Sequence, residues 1–285
     1  LFYRVIHAFQ PSAPGDHAPT SRKPNVAVQA DDPIDDKPMP LLDHLIELRR
    51  RLIWSAATFL VCFGVAYYFS GAIYYFLAEP LAAVLRQQGS PDPHLIYTQL
   101  YEAFFTKIKV AFFGGAFVAF PMIAVQLWLF VAPGLYRSEK RALLPFLAAT
   151  PILFVAGAAL AYYFVFPFAW RFFASFQDPV GGGGVPIELL PKVSEYLDLV
   201  MKLIFAFGIT FQLPVALTLL AKVGITSSAQ LKKFRRYAYV GMFVIAAILA
   251  PPDVITQTGL AVPLIALYEI SIISARWVEP KPVEV

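Results

Sequence analysis

Residues His44 to Leu52 read H-L-I-E-L-R-R-R-L, which sets one carboxylate, Glu47, beside three consecutive guanidinium groups at Arg49, Arg50 and Arg51. Glu47 and Arg51 are four apart, the spacing at which a helix brings side chains together, so an ion pair along the helix is one reading. The other is that Glu47, at a partly desolvated rim, accepts a cationic ligand while the arginines hold the helix at headgroup level. Glu139 poses the same choice. Beside Ser138 it suits the capped first turn of a helix, where a negative charge meets the positive end of the helix dipole. If the apolar run between them crosses a membrane, Glu139 shares a face with Glu47, and two carboxylates there make a site for a pair of positive charges. Gln212, in F-G-I-T-F-Q-L-P-V, either bonds a neighbouring helix or a carbonyl freed by Pro214, or binds a partner. Asp253 follows Pro251 and Pro252 and reads as a cap for the last helix, with Gln257 one turn further on the same side.

Other chemistry is hard to find. The chain has no H-E-x-x-H, no G-x-S-x-G and no G-x-x-x-x-G-K-[ST], so neither zinc hydrolysis, nor an acyl-enzyme elbow, nor ATP hydrolysis is indicated. The run Gly181 to Gly184 lacks the preceding strand and the lysine of a phosphate-binding loop. The single cysteine, Cys62, lies in an apolar run and permits no intramolecular disulfide. His7, His17, His44 and His94 are scattered without metal-ligand spacing, so no metal or other cofactor is expected. A net charge of +4 is small for a nucleic-acid binder.

The elements that must hold these residues are membrane helices. Of 285 residues 58% are hydrophobic and 15% charged, and the mean hydropathy is +0.62; a soluble domain carries about a quarter charged residues. A hydrocarbon core of about 30 Å takes about 20 apolar residues. Runs of that kind predict six spans: from an Asp43 cap to Phe69, Val110 to Val131, Leu143 to Phe168, Leu199 to Ala221, and two shorter final helices, Tyr237 to Ala250 and Ile255 to Ser274, in a tight hairpin. Pro121, Pro145, Pro151, Pro167, Pro214 and Pro263 fall in or beside these runs and predict a curved bundle. Residues 1 to 40, rich in proline and aspartate, read as a disordered tail with Met39 as an alternative start, and residues 278 to 285 as a second tail. Two long connections, Ser70 to Lys109 and Arg171 to Asp198, hold aromatic-rich segments suited to short interfacial helices.

Lysine and arginine set the orientation. Arg49 to Arg51, the Arg137, Lys140 and Arg141 group, the Lys222 to Arg236 group, and Arg276 with Lys281 all fall on one side if every run spans. Both ends of the chain are then cytoplasmic.

The segments H-L-I-E-L-R-R-R-L, P-M-I-A-V-Q-L-W-L-F-V-A-P-G-L-Y-R-S-E-K-R, F-G-I-T-F-Q-L-P-V and A-P-P-D-V-I-T-Q, in that order, resemble the TatC family, the polytopic subunit of the twin-arginine protein translocase. The likeness runs from Met39 to Trp277. It implies a cupped bundle of six transmembrane helices in the inner membrane, with no catalytic activity of its own. The implied function is to recognise twin-arginine signal peptides on folded proteins and to gather single-span TatA-type and TatB-type partners in an oligomeric complex, with export driven by the proton-motive force. By the same likeness Glu47 and Glu139 are signal-peptide-binding carboxylates. Phe130, Pro133, Leu135, Tyr136 and Arg141 are the surrounding motif, Arg49 and Arg51 a basic amino-terminal motif, Pro80 a loop proline, and Asp253 and Gln257 the start of the last helix. Many family members carry glutamate where this chain has Gln212, so a neutral hydrogen bond would replace a charge in any partner contact there. Two rival classes make different demands. A coupled small-solute transporter would also use kinked helices and mid-membrane polar groups, but no inverted repeat is visible and the deep polar residues read as few and uncharged. An intramembrane enzyme would need a nucleophile with its base, or a carboxylate dyad, within the spans.

Overall fold

The computed structural model of the chain describes residues 41–88, 92–131, 144–177, 189–249 and 254–279. These form α1 (Leu41–Tyr68), α2 (Ser70–Gln87), α3 (Glu102–Val131), α4 (Leu144–Leu160), a π-helical turn (Ala161–Val165), α5 (Phe166–Ala174), α6 (Val193–Thr210), α7 (Leu213–Lys222), α8 (Ser228–Leu249) and α9 (Val254–Val278). Among the described residues the only non-helical pairing is an isolated parallel bridge between Ile96 and Lys192. Helices are what a bilayer demands, because each satisfies its backbone polar groups within itself.

Five stretches are long and apolar enough to cross a membrane: Leu45–Tyr68, Glu102–Phe130, Pro145–Ala174, Val193–Lys222 and Thr256–Val278. The sixth expected span, α8, differs. It starts at Ser228 and not at Tyr237, which makes it 22 residues long. Its extra turns, S-A-Q-L-K-K-F-R-R, carry four cations, so the helix outruns its apolar part. Capping explains the early start. Gly224 takes the left-handed conformation at φ +80°, with Ile225 N–H bonding Leu220 O and Gly224 N–H bonding Ala221 O, which stops α7. Ser227 Oγ then accepts from Gln230 N–H while Gln230 Oε1 accepts from Ser227 N–H, a reciprocal capping box. The Glu279 carboxylate closes on Ser228 N–H and Oγ from the end of α9, placing an anion at the positive end of α8.

Other bounds also move outward. α3 begins eight residues before Val110 and α6 six residues before Leu199, while α1 begins at Leu41, ahead of Asp43. The third span is continuous only by way of its π turn. Pro167 has no N–H to offer Tyr163, and the widened turn Ala161–Val165 absorbs that missing donor. The fourth span breaks at Phe211 and Gln212, where α6 gives way to α7 and Pro214 sits in the first turn.

The packing follows membrane rules, in which small residues let backbones approach because there is no water to expel. α1 and α3 run antiparallel: the Lys107 ammonium lies 5.3 Å from the Tyr67 ring, Phe59 meets Phe112 at 4.9 Å, and Arg51 reaches Gln126 at 3.3 Å. Gly115 permits it, since a Cβ there would stand 2.7 Å from Phe63 Cα. α4 and α6 cross in the same way at Gly157, where a Cβ would stand 2.6 Å from the Phe207 carbonyl oxygen. The centre is filled by Leu77, Phe166, Leu197, Phe207, Leu260 and Leu264, all essentially inaccessible. α1 stands apart from this core, and most of its apolar side chains face outward.

Candidate functional site

The antiparallel pairing of α1 with α3 brings Glu47, Arg51 and Gln126 to one end of the bundle. Arg51 donates from Nε at 3.0 Å and from Nη2 to the same Glu47 oxygen, and from Nη1 to Gln126 Oε1 at 3.3 Å. The ion pair expected from the spacing is therefore formed, and it does more than stabilise a helix. Its guanidinium is spread between a carboxylate on α1 and an amide on α3, with the two charged side chains about a quarter exposed. Arg49 and Arg50 are exposed. Phe130, half-buried, lies in the last turn of α3. Glu139, Leu135, Tyr136, Arg141 and Pro133 lie outside the described residues, in the 132–143 connection that joins α3 to α4; it leaves α3 a few residues past Gln126.

A second set of polar bonds crosses the same region. Trp128 Nε1 donates to Thr150 Oγ1 at 3.1 Å, and that hydroxyl donates to Phe146 O at 2.8 Å. The Thr150 carbonyl accepts from Gln212 Nε2 at 3.0 Å. Thr150 is 1% exposed, so α3, α4 and the α6–α7 break are tied through one buried residue. The Lys222 ammonium lies 5.8 Å from the Phe146 ring on the same side.

Gln212 thus takes the helix-to-helix role, but through Thr150 and not through the Thr210 carbonyl that Pro214 deprives of its usual donor. Its amide also lies 3.5 Å from Gly208 O. That carbonyl has no intrahelical claim on Gln212 N–H, which turns to Ile209 O at 2.9 Å. The side-chain oxygen of Gln212 is buried with no hydrogen bond.

The remaining sequence candidates are structural where they are described. Pro80 is buried inside α2, and Gln257 Nε2 reaches Phe243 O on α8 at 3.4 Å. Asp253 lies outside the described residues. The deep polar groups are also not all uncharged, as the sequence reading had them. Glu269, in the middle of α9, accepts from Arg235 Nη2 and from the Tyr239 hydroxyl, both on α8. Lys202, in α6, donates to Ile248 O at 3.1 Å, a carbonyl whose usual donor four residues on is Pro252. At the other end of the bundle Glu102, 5% exposed, accepts from Thr98 N–H at 3.0 Å and Ser194 N–H at 3.2 Å, and Lys109 pairs with Asp198 at 2.7 Å. An ionisable residue inside an apolar run was the available signal for Glu269 and Lys202.

A set of membrane-crossing helices bound by buried polar contacts, with an accessible carboxylate and guanidinium at one end, defines a multi-pass integral membrane protein. The family model for the Sec-independent protein translocase protein TatC matches residues 43–263. A Magnetococcus marinus protein named Sec-independent protein translocase protein TatC is 53% identical over 245 residues, covering 86% of this chain and 87% of the relative. The protein of that name from Escherichia coli K12 is 41% identical over 238 residues, covering 84% and 88%. A crystal structure of the twin arginine translocase receptor TatC superposes with a TM-score of 0.69 at 40% identity, covering 82% of this chain and 99% of that one. The chain belongs to the TatC family, whose members are components of the Sec-independent protein translocase.

Proposed function

We propose that this chain is the membrane receptor for twin-arginine signal peptides, with Glu47 and Glu139 as the two carboxylates that take the paired arginines. The observation that carries the reading is the Glu47 environment: a single oxygen of this carboxylate already holds a guanidinium by two nitrogens. Arg51 occupies it as an internal occupant, steadied by Gln126. An incoming guanidinium finds the same planar, charge-assisted geometry, either displacing Arg51 or engaging the second oxygen. Partial burial at the end of the bundle strengthens such bonds relative to open water.

On this reading the Glu47 end faces the cytoplasm, as the lysine and arginine distribution requires. Both chain ends lie on that side. Arg49, Arg51, Phe130, Leu135, Tyr136 and Arg141 line the peptide's path, and Pro133 shapes the connection carrying Glu139. Gln212, whose amide holds the α6–α7 break to Thr150, contributes to contact with a TatA-type or TatB-type single span by positioning that break. Movement of folded cargo draws on the proton-motive force.

The test is crosslinking of a photoreactive twin-arginine peptide to the chain in membranes. Glu47→Gln and Glu139→Gln should each reduce capture by about tenfold or more, the loss of a charge-assisted pair, with membrane insertion unchanged. Undiminished capture in both variants refutes the assignment.

A further inference from the structure

The first turns of α8 carry Lys232, Lys233, Arg235 and Arg236, and these cations do not share one environment. Arg235 turns inward to Glu269. Lys232, Lys233 and Arg236 are exposed, as is Arg276 near the end of α9. Among the described residues none of these last four has a carboxylate within ion-pair distance. Arg236 lies against its neighbour Tyr237, with one nitrogen donating to the hydroxyl at 2.9 Å and the guanidinium 4.7 Å from the ring, which leaves its other donors for an external acceptor. The carboxylates close by are engaged: Glu269 accepts from Arg235 and the Tyr239 hydroxyl, and Glu279 from Ser228 N–H and Oγ. The antiparallel register set by those bonds brings Arg276 level with the first turns of α8. This is the Glu47 end of the bundle, since Lys222, shortly before α8, lies against Phe146.

Lys233, Tyr237, Val240 and Val244 follow one another at helical spacing along the side of α8 turned away from the buried Leu231, Met242 and Ala246, and all four are exposed. Charge at one end of this strip passes into apolar side chains that face lipid. From Tyr237 to Leu249 the apolar part is about 13 residues, or about 20 Å, against a hydrocarbon core of about 30 Å. A helix with so short an apolar part cannot hold its basic turns clear of the bilayer, so Lys232, Lys233 and Arg236 stand among the headgroup phosphates. Trp277, 82% exposed beside Arg276, is a residue suited to the same layer.

We infer that the outward strip of α8 binds an anionic phospholipid of the leaflet at the Glu47 end, with its phosphate on Lys233 and Arg236 and its acyl chains along Tyr237, Val240 and Val244. Lys233 and Arg236 are three apart on one face, a spacing at which two side chains reach one group. Lys232 and Arg276 add charge beside them. The net charge of the head selects the class: a zwitterionic head brings an ammonium among four unpaired cations with no open carboxylate to receive it, whereas a glycerol head brings none.

The experiment is native mass spectrometry of the delipidated full chain, titrated with phosphatidylglycerol and phosphatidylethanolamine of the same acyl chains, and with soluble glycerophosphoglycerol as competitor. Phosphatidylglycerol should be retained about tenfold more tightly than phosphatidylethanolamine, and Lys233→Gln and Arg236→Gln should each weaken its retention about fivefold. Lys107→Gln, which removes an exposed cation at the other end of the bundle, should leave it unchanged. Equal retention of the two lipids overturns the inference, as does an effect of Lys107→Gln as large as that of Lys233→Gln, which would mark attraction by total charge alone. Displacement by the soluble competitor at the same concentration as the lipid overturns the lipid source. A photoreactive side chain at Val240, in vesicles where phosphatidylglycerol is the minor lipid, should capture that lipid above its share; capture of a second copy of the chain in its place overturns the assignment of this face. If a substitution prevents folding, the comparison of the two lipids on the unsubstituted chain decides alone.

Discussion

At the residue scale, Glu47 and Arg51 form the ion pair that their spacing offers. Spacing alone brings them together, but the reach of Arg51 to Gln126 depends on α3 running back beside α1, and no local rule contains that. Thr150 teaches the same lesson. Nothing in A-A-T-P-I marks it, yet its hydroxyl and carbonyl receive Trp128 and Gln212 from two other elements. Replacing Trp128 by Phe keeps the ring and deletes the donor, which should cost about 1 kcal/mol in detergent unfolding. A loss near zero would show that the Trp128–Thr150 bond contributes nothing to the folded protein. The charged residues Glu269 and Lys202 were legible as anomalies inside apolar runs. Their partners were not, because Arg235 and Ile248 O lie on a helix far along the chain.

At the element scale, hydropathy located the helices but not their ends. Apolar runs mark where lipid touches the chain, while helices continue as long as caps and partners hold them. α8 gained its basic turns from the Ser227–Gln230 box and the Glu279 carboxylate, and α3 gained its first turns from Glu102. Only the box has a sequence signature, S-x-x-Q. Pairing of elements rests on close approaches at glycine. Gly115→Leu should detach α1 from α3, because the obstructing atoms are Phe63 backbone and no rotamer change clears them; a disulfide trap between cysteines placed at Arg51 and Gln126 should then fail to close. Gly157→Ala should cost about 1–3 kcal/mol by overpacking against the Phe207 carbonyl. Removal of the Lys202 ammonium by Lys202→Met should speed amide exchange in the last turn of α8, where Ile248 O loses its donor, and leave the first turn of α8 unchanged.

At the scale of the whole molecule, α1 is packed by α3 on one side and exposes most of its remaining apolar surface. The end opposite Glu47 is laced by Glu102, the Ile96–Lys192 bridge and the Lys109–Asp198 pair. The all-helical membrane architecture, the class of the protein and the Glu47–Arg51 ion pair could be read from the sequence. The tie of Arg51 to Gln126 could not, because it is set by the antiparallel pairing of α1 with α3 and no local pattern carries it; Glu139 lies outside the described residues. The most direct measurement is therefore made from the Glu47 and Glu139 positions to one ligand. Photoreactive side chains placed singly at 47 and at 139 should each capture the same short twin-arginine peptide, at adjacent sites around its arginine pair. Capture from only one position, or capture of peptide segments far from the arginines, would contradict the account.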